Sequence, residues 1–387
     1  MRIAFVIPKL HGGGAEFVAG QWALALGAEG HEVDIVTTHE KERTEAQRAD
    51  APFRHVRLGG GLSFFHRVRA LRSLMLDRRY DVVMGLMPHW NVLALLAAAS
   101  LRGRRPRVVI SGRNVESSLK RSLGTGYRVE LLIARRIYRR ADAYVAISHP
   151  VAAEAITAYG LEPSRVFVIP NPASAKTDLE QARRARESRA TVEREAELHV
   201  VVPGRLVEQK RPLLALETAR ALIEDESGSG AVVVHYFGSG PYQPQIEAAA
   251  ARLDVSVVFH GWVESWFEEA PAGSVMLLPS HSEGFGNVFV ESAAYGIPTV
   301  ATSRALGIAD AIAPGLTGEI AVEDDAFAFA RAVRAASRLR VPVDLDDWLR
   351  HFSRDHSATE LLRVFDRITD VARPRTSALP MVRNGND

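Results

Sequence analysis

The sequence predicts an α/β protein built of two doubly wound domains, and three observations carry that expectation. Short apolar runs alternate with helical patterns along nearly the whole chain. The alternation breaks once, at a polar stretch over 170–197, and then restarts. At 387 residues the chain exceeds what one hydrophobic core usually supports.

In the first half the β-rich runs are 2–7, 33–37, 53–58, 81–86, 107–111, 143–147 and 166–169. Helical patterns separate most of them, such as 15–29, which Gly30 ends. The stretch PNPASAKTDLEQARRARESRATVEREAE (170–197) opens on Pro-Asn-Pro and reads as a linker plus a solvated helix. In the second half the runs are 199–203, 231–237, 255–260, 275–279, 298–302 and 318–322. Repeated strand–helix–strand units with apolar strands imply parallel sheets covered on both faces. The expected domains are 1–172 and 198–352, and 373–387 reads as a disordered tail.

Composition narrows the class. The chain is 47% hydrophobic and 24% charged, as in ordinary soluble globular proteins. It has no cysteine, which excludes disulfides, thiolate nucleophiles and cysteine-ligated metals and fits a reducing compartment. The apolar run near the N-terminus, Ile3 to Ile7, is too short for a signal-peptide core. The longest run elsewhere, NVLALLAAASL (91–101), is about half a membrane span and reads as a buried helix. A cytoplasmic location is expected. Charge is uneven: residues 1–172 hold 25 Lys/Arg against 15 Asp/Glu, and residues 173–387 hold 23 against 31. A basic first half suggests an anionic partner there.

Ligands of open parallel sheets sit at the carboxyl ends of the strands, so the loops there hold the candidate chemistry. The loop PKLHGGGAE (8–16) has three glycines between strand and helix, and the amides of Gly13 and Gly14 can approach an anion. It is not a G-x-G-x-x-G fingerprint, which argues against a nicotinamide cofactor, and no cofactor is expected. The loop in VVPGRLVEQKRP (201–212) carries Arg205 and Lys210, five apart, a suitable pair for a diphosphate. The stretch SEGFGNVFVE (282–291) holds two glutamates eight apart. On one helix they would lie roughly 80° apart. A loop turning into a helix suits them better, with Asn287 as N-cap, Glu283 on the loop and Glu291 early in the helix. The amides around Gly284, Phe285 and Gly286 would then face a phosphate, and the carboxylates a sugar's hydroxyls.

These residues resemble the retaining glycosyltransferases of family 4. EGFGNVFVE is similar to the family's E-x7-E signature, and PGRLVEQKRP to its GRL-x-x-x-K segment. FGSGP (237–241), VVFHGWV, GIPTVATSRALGIADAIAPGLTGEI and the N-terminal HGGGAE match further family elements. HFSRDHSATELLRVFDRI (351–368) resembles the closing helix, expected over about 353–372, that returns to the first domain. The motifs occur in family order over most of residues 1–372. The resemblance implies the GT-B fold, two Rossmann-like domains facing across a cleft.

It also implies roles. Arg205 and Lys210 would contact the donor diphosphate, Glu283 the donor sugar and Glu291 the nucleotide ribose. Phe285, Gly286 and Asn287 would supply amides. Gly13 and Gly14 would approach the donor phosphate or the acceptor. There are two departures. SGRNVESS (111–118) places Arg113 and Asn114 where many relatives have a histidine, so no histidine role transfers. Asp310 stands where the family often has glutamate.

The implied reaction moves a hexose or N-acetylhexosamine from a nucleoside-diphosphate sugar, UDP foremost, to a glycan or lipid-linked acceptor with retention and without a metal. No Asp-x-Asp run stands in a nucleotide loop, and Leu345-Asp346-Asp347 reads as a helix cap. Glu283 would position the sugar rather than attack it. Arginines beside apolar residues over 66–80 and 118–144 fit either an anionic membrane surface or an ordinary solvated helix face. No aromatic-interleaved basic groove points to nucleic acid. A nucleotide-sugar epimerase or phosphorylase of the same fold, and a non-catalytic sugar-nucleotide or lipid-binding protein, remain alternatives.

Overall fold

The structure, a computed structural model, describes residues 1–10, 12–39, 51–59, 61–116, 132–191, 197–225 and 230–370. The expected tail and much of the basic stretch 118–144 lie outside the described residues.

Thirteen strands form two all-parallel sheets among the described residues. The first holds β1 (Arg2–Ile7), β2 (Glu32–Thr37), β3 (Arg54–Arg57), β4 (Val82–Leu86), β5 (Arg107–Gly112), β6 (Ala143–Ala146) and β7 (Val166–Val168). Their order is β3-β2-β1-β4-β5-β6-β7. The second holds β8 (Leu198–Pro203), β9 (Val232–Phe237), β10 (Ser256–Gly261), β11 (Val275–Leu278), β12 (Thr299–Thr302) and β13 (Gly318–Ala321), in the order β10-β9-β8-β11-β12-β13. Each sheet therefore starts in its middle and reverses direction once, beside β1 in the first and β8 in the second. Ile3 pairs with Val33 on one side and Val82 on the other, and Val200 with Val234 and Val275. The strands are apolar because helices cover both faces: every residue of β4, β6, β11 and β12 is buried.

The helices that bear on the site are α1 (Gly14–Ala28), α2 (Phe64–Arg78), α3 (Pro88–Ala99), α4 (His149–Tyr159), α5 (Leu179–Thr191), α6 (Pro212–Glu224), α7 (Gln243–Leu253), α8 (Asn287–Ala294), α9 (Ala326–Arg338), α10 (Asp346–Arg350) and α11 (Arg354–Asp370). The last helix packs on α1 beside the first sheet. Its Ala358, Leu361, Val364 and Phe365 are buried with Ile3, Phe5 and Trp22. Ser357 fixes that docking: its Oγ accepts from the Trp22 indole at 2.9 Å and donates to the Pro170 carbonyl at 2.8 Å.

One expectation is refined. The 170–197 stretch, of which 192–196 lie outside the described residues, is more than a linker with a solvated helix: α5 is exposed over most of its length but docks through one buried face. Arg186 of α5 is fully buried and donates to the carbonyls of Ala294 and Val343 and to Asp346. Arg189 donates to the carbonyls of Ala270 and Pro271, so α5 docks on the second sheet's helices. The 345–347 stretch starts a helix as expected, with Leu345 at the N-cap position of α10 and Asp346 in its first turn as the partner of Arg186.

Candidate functional site

The two motif loops of the second half leave the carboxyl ends of β8 and β11, the neighbouring strands at which that sheet reverses. That is where a doubly wound sheet opens a crevice. Hydrogen bonds stitch the loops into one unit. The His281 amide donates to the Gln209 carbonyl at 2.8 Å, and the Gln209 side chain to the Ser282 carbonyl at 2.9 Å. Arg211, in the left-handed region at φ 48°, anchors the first loop with a two-pronged contact to Asp324 at 2.7 and 2.9 Å.

On this base the structure brings Lys210 and Glu283 together, Nζ to Oε1 at 2.6 Å. Both side chains are largely buried, at 19% and 11% exposure. Arg205 is exposed and makes no ion pair among the described residues. Next comes Gly284, whose missing Cβ matters: a methyl there would meet the Arg113 carbonyl at 2.2 Å. Gly307 is similarly pressed against the Glu283 carbonyl. Phe285 is buried with its ring 5.6 Å from that of Phe352, which fixes the loop to the core.

The helix start differs from expectation. Gly286, at φ 84°, occupies the N-cap position of α8, and Asn287 is the first helical residue. A side chain is strained at that φ, so glycine takes the cap. The Asn287 side chain turns to the other half and accepts from Asn171 at 2.8 Å. Glu291 follows one turn on and is buried, at 3% exposure. It accepts from the Trp266 indole at 3.0 Å and lies 3.7 Å from Lys176. Burial raises its carboxyl pKa above 4.5; Lys176 and the indole pull it back down.

The first half closes over these loops. Ser148 donates to the Gly284 carbonyl at 2.7 Å, and Ser282 to Asn114 at 2.9 Å. Asp310 accepts from the His149 amide at 2.6 Å, capping α4 from the opposite half. Arg113 donates to Asn171 at 3.1 Å, lies 5.3 Å over the Trp22 ring and keeps one buried nitrogen without a hydrogen bond. Burial lowers its pKa to about 9, against the pull of Glu16 and Tyr144. Gly13 and Gly14 are exposed at the start of α1, after β1. Lys176, Trp266, Asn171, Ser148 and Ser282 were not singled out from the sequence. Only Asn171, in the Pro-Asn-Pro turn, carried a local signal. A cavity of about 320 Å³ lies elsewhere, at the opposite strand ends around Arg2, Asp34 and Arg54.

Two family models divide the chain as the two sheets do. Residues 12–176 match Glycosyltransferase Family 4, and residues 197–338 match Glycosyl transferases group 1. The chain is a glycosyltransferase-like protein of the family 4 type, each half matching its own model. Among curated members, the D-inositol 3-phosphate glycosyltransferase of Geodermatophilus obscurus is 30% identical over 218 residues, 54% of this chain and 48% of that protein. The chain thus spans about half the length of the curated relatives of this kind. A Campylobacter jejuni α-1,4-N-acetyl-D-galactosaminyltransferase acting on a diNAcBac-PP-undecaprenol-linked glycan is 25% identical over 86% of this chain and 87% of its own. Among solved structures, the lipopolysaccharide outer core galactosyltransferase WaaB superposes with TM-score 0.73 at 20% identity, covering 95% of this chain and 99% of that one. Anabaena HepE, solved with UDP and glucose, gives 0.67 at 16% identity over 96% and 99%. These glycosyltransferase neighbours share the GT-B fold: two Rossmann-like domains.

Proposed function

We propose that this chain is a retaining glycosyltransferase that moves a hexose or N-acetylhexosamine from a nucleoside-diphosphate sugar, UDP foremost, to a glycan or lipid-linked acceptor. The observation that carries the reading is the Lys210–Glu283 pair beside the N-terminus of α8, at the point where the second sheet reverses. One cation, one carboxylate and free helix amides there match a ligand with phosphates at one end and hydroxyls at the other.

Each residue then has a task. The departing diphosphate gains negative charge, and Lys210, Arg205 and the amides of Phe285, Gly286 and Asn287 stabilise it. Lys210 has three N–H donors, and Glu283 takes one, so two stay available for phosphate oxygens. Glu283 keeps its second oxygen for a sugar hydroxyl and orients the ring. Glu291 accepts from the ribose. The acceptor arrives from the side of Gly13, Gly14 and Arg113, and retention requires its hydroxyl to attack the face the diphosphate leaves, its proton passing to an oxygen of the departing phosphate.

Thermal-shift screening with UDP, GDP, ADP and dTDP sugars tests the donor class, since a ligand of the folded state raises its melting temperature. The UDP sugars are expected to give the largest shift. No shift with any of the four, and no nucleoside diphosphate released with lipid and glycan acceptors present, would refute the reading.

A further inference from the structure

The amino ends of the first sheet carry charge where a doubly wound sheet is usually apolar. Side chains two apart share a face of a strand, so Glu32 and Asp34 of β2 point the same way. Arg2 of β1 pairs with Glu32, and Arg54 of β3 with Asp34. The next residues on that face, Ala4, Val6 and Val36, are buried in the core that Leu71 and Met75 of α2 complete. Helix α2 stops at Arg78, and Arg79 turns the chain at φ 52°. The helix leaves this edge of the sheet uncovered, and the cavity of about 320 Å³ opens there.

Its lining holds three guanidiniums, Arg2, Arg54 and Arg78, against two carboxylates, Glu32 and Asp34, with Phe53 beside them. Asp34 is buried and already committed, because it accepts from both Arg54 and the Tyr80 hydroxyl. That contact uses one terminal nitrogen of Arg54, whose side chain stays 40% exposed and whose buried Nε has no acceptor. Arg2 has Glu32 at 3.2 Å, an exposed pair of little worth. Among the described residues Arg78 has one carboxylate, the exposed Asp77, at 3.9 Å. The carboxyl end of α2 accounts for one cation here, not for three. Guanidiniums take an oxyanion in two-pronged contact, and an aromatic ring takes an apolar body. The volume lies at the lower end of small-molecule sites, which run from about 300 to 1,000 Å³.

We propose that this cavity is a second ligand site, for a small organic anion whose carboxylate or phosphate lies among Arg2, Arg54 and Arg78 and whose apolar part rests on Phe53. The site is separate from the cleft. Strand β1 runs between the two, from Arg2 at the cavity to Ile7 before the glycine loop, roughly 17 Å along the strand. The site stands whether or not the transferase reading does.

The test is calorimetric titration with phenyl phosphate and with benzoate, against phenol as the neutral counterpart, with and without saturating UDP. Wild type is expected to bind one of the anions at least about tenfold more tightly than phenol, the worth of a charge-assisted hydrogen bond. The arm that shows the preference names the anion. Arg54→Met and Arg78→Met are each expected to remove it. Arg54→Met also takes a partner from buried Asp34, so its melting temperature falls. Arg78 holds only an exposed aspartate, so Arg78→Met keeps the fold and decides the matter. Arg104→Met, an exposed arginine outside the lining, is expected to keep the preference. No preference in wild type overturns the proposal. So does a preference that survives Arg78→Met, one that Arg104→Met removes as well, or one that UDP abolishes, which would place the anion in the cleft. Failure of UDP to bind touches the donor reading alone.

Discussion

Glu291 and Glu283 share one motif, yet burial gives Glu291 and Lys210, the partner of Glu283, opposite consequences. Glu291 is buried, and burial outweighs Lys176 at 3.7 Å and the Trp266 indole, so its proton is held more tightly in the folded chain than in the unfolded one. The native state therefore binds more protons in the window above pH 4.5, and stability falls as pH rises through it. Glu291→Gln is expected to raise the melting temperature at pH 7.5, with the gain shrinking towards pH 4.5. It should also weaken nucleotide binding about tenfold, the worth of one charge-assisted hydrogen bond. Melts at three pH values and one calorimetric titration check both, and a variant less stable at pH 7.5 sinks the idea. Lys210 and Arg205 separate by the same logic. Arg205→Met should lower turnover with no change in melting temperature, because the side chain is exposed. Lys210→Met should lower both, because Glu283 is left buried without its partner. Equal melting temperatures for the two variants would contradict the paired geometry.

At the scale of the element, the strands and the motif-bearing turns were legible, and the anchors were not. Apolar runs fix strands wherever both faces are covered, which is why β4, β11 and β12 fall within a residue or so of their expected bounds. The docking of helix α5 was missed because its composition is polar and Arg186 looks like any surface arginine until three acceptors from distant segments converge on it. The cap of α8 was misread by one residue, since nothing local distinguishes Asn287 at the cap from Gly286 at φ 84°. Arg186→Met is expected to destabilise the protein by about 3 kcal/mol, measured by urea unfolding, because it strands two carbonyls and Asp346; a change below about 1 kcal/mol would make α5 the solvated helix it resembles. A second element-scale device crosses β8, β9 and β10. His199, His235 and His260 form a ladder with ring nitrogens 3.1 Å apart at each step. Burial, then the two neighbouring histidines, lowers the pKa of His235 to about 4. The unfolded chain binds the extra proton first, so stability is lost as pH falls from about 6.5 towards 4. The loss should be on the order of 2 kcal/mol, and His235→Gln should flatten it. Urea midpoints at pH 7 and pH 4.5 give the comparison.

For the whole molecule, the sequence resemblance supplied two domains and a cleft, and it also ordered the motifs within them. How the halves meet lay beyond it, because they meet through apolar packing and single hydrogen bonds between residues far apart in sequence. Ser148 reaches Gly284, Ser282 reaches Asn114, Asn171 reaches Asn287, and Asp310 caps α4. All four involve the loops that would hold the donor or residues beside them, so closing the cleft and ordering the site are one event. Gly284 is a tight point between the halves, because a methyl group there would stand 2.2 Å from the Arg113 carbonyl. Neither backbone can yield without moving its domain, since Phe285 is pinned in the core and Arg113 follows β5 directly. Gly284→Ala is therefore expected to hold the halves apart. The radius of gyration in solution scattering should rise, and turnover should fall about a hundredfold, the scale of a reacting group misplaced by an ångström. Melting temperature should fall as well, because one buried apolar cluster runs through both halves and includes Phe285 beside the contact. Unchanged scattering with unchanged turnover would mean that the contact at Gly284 yields locally, and that catalysis does not depend on the closure drawn here.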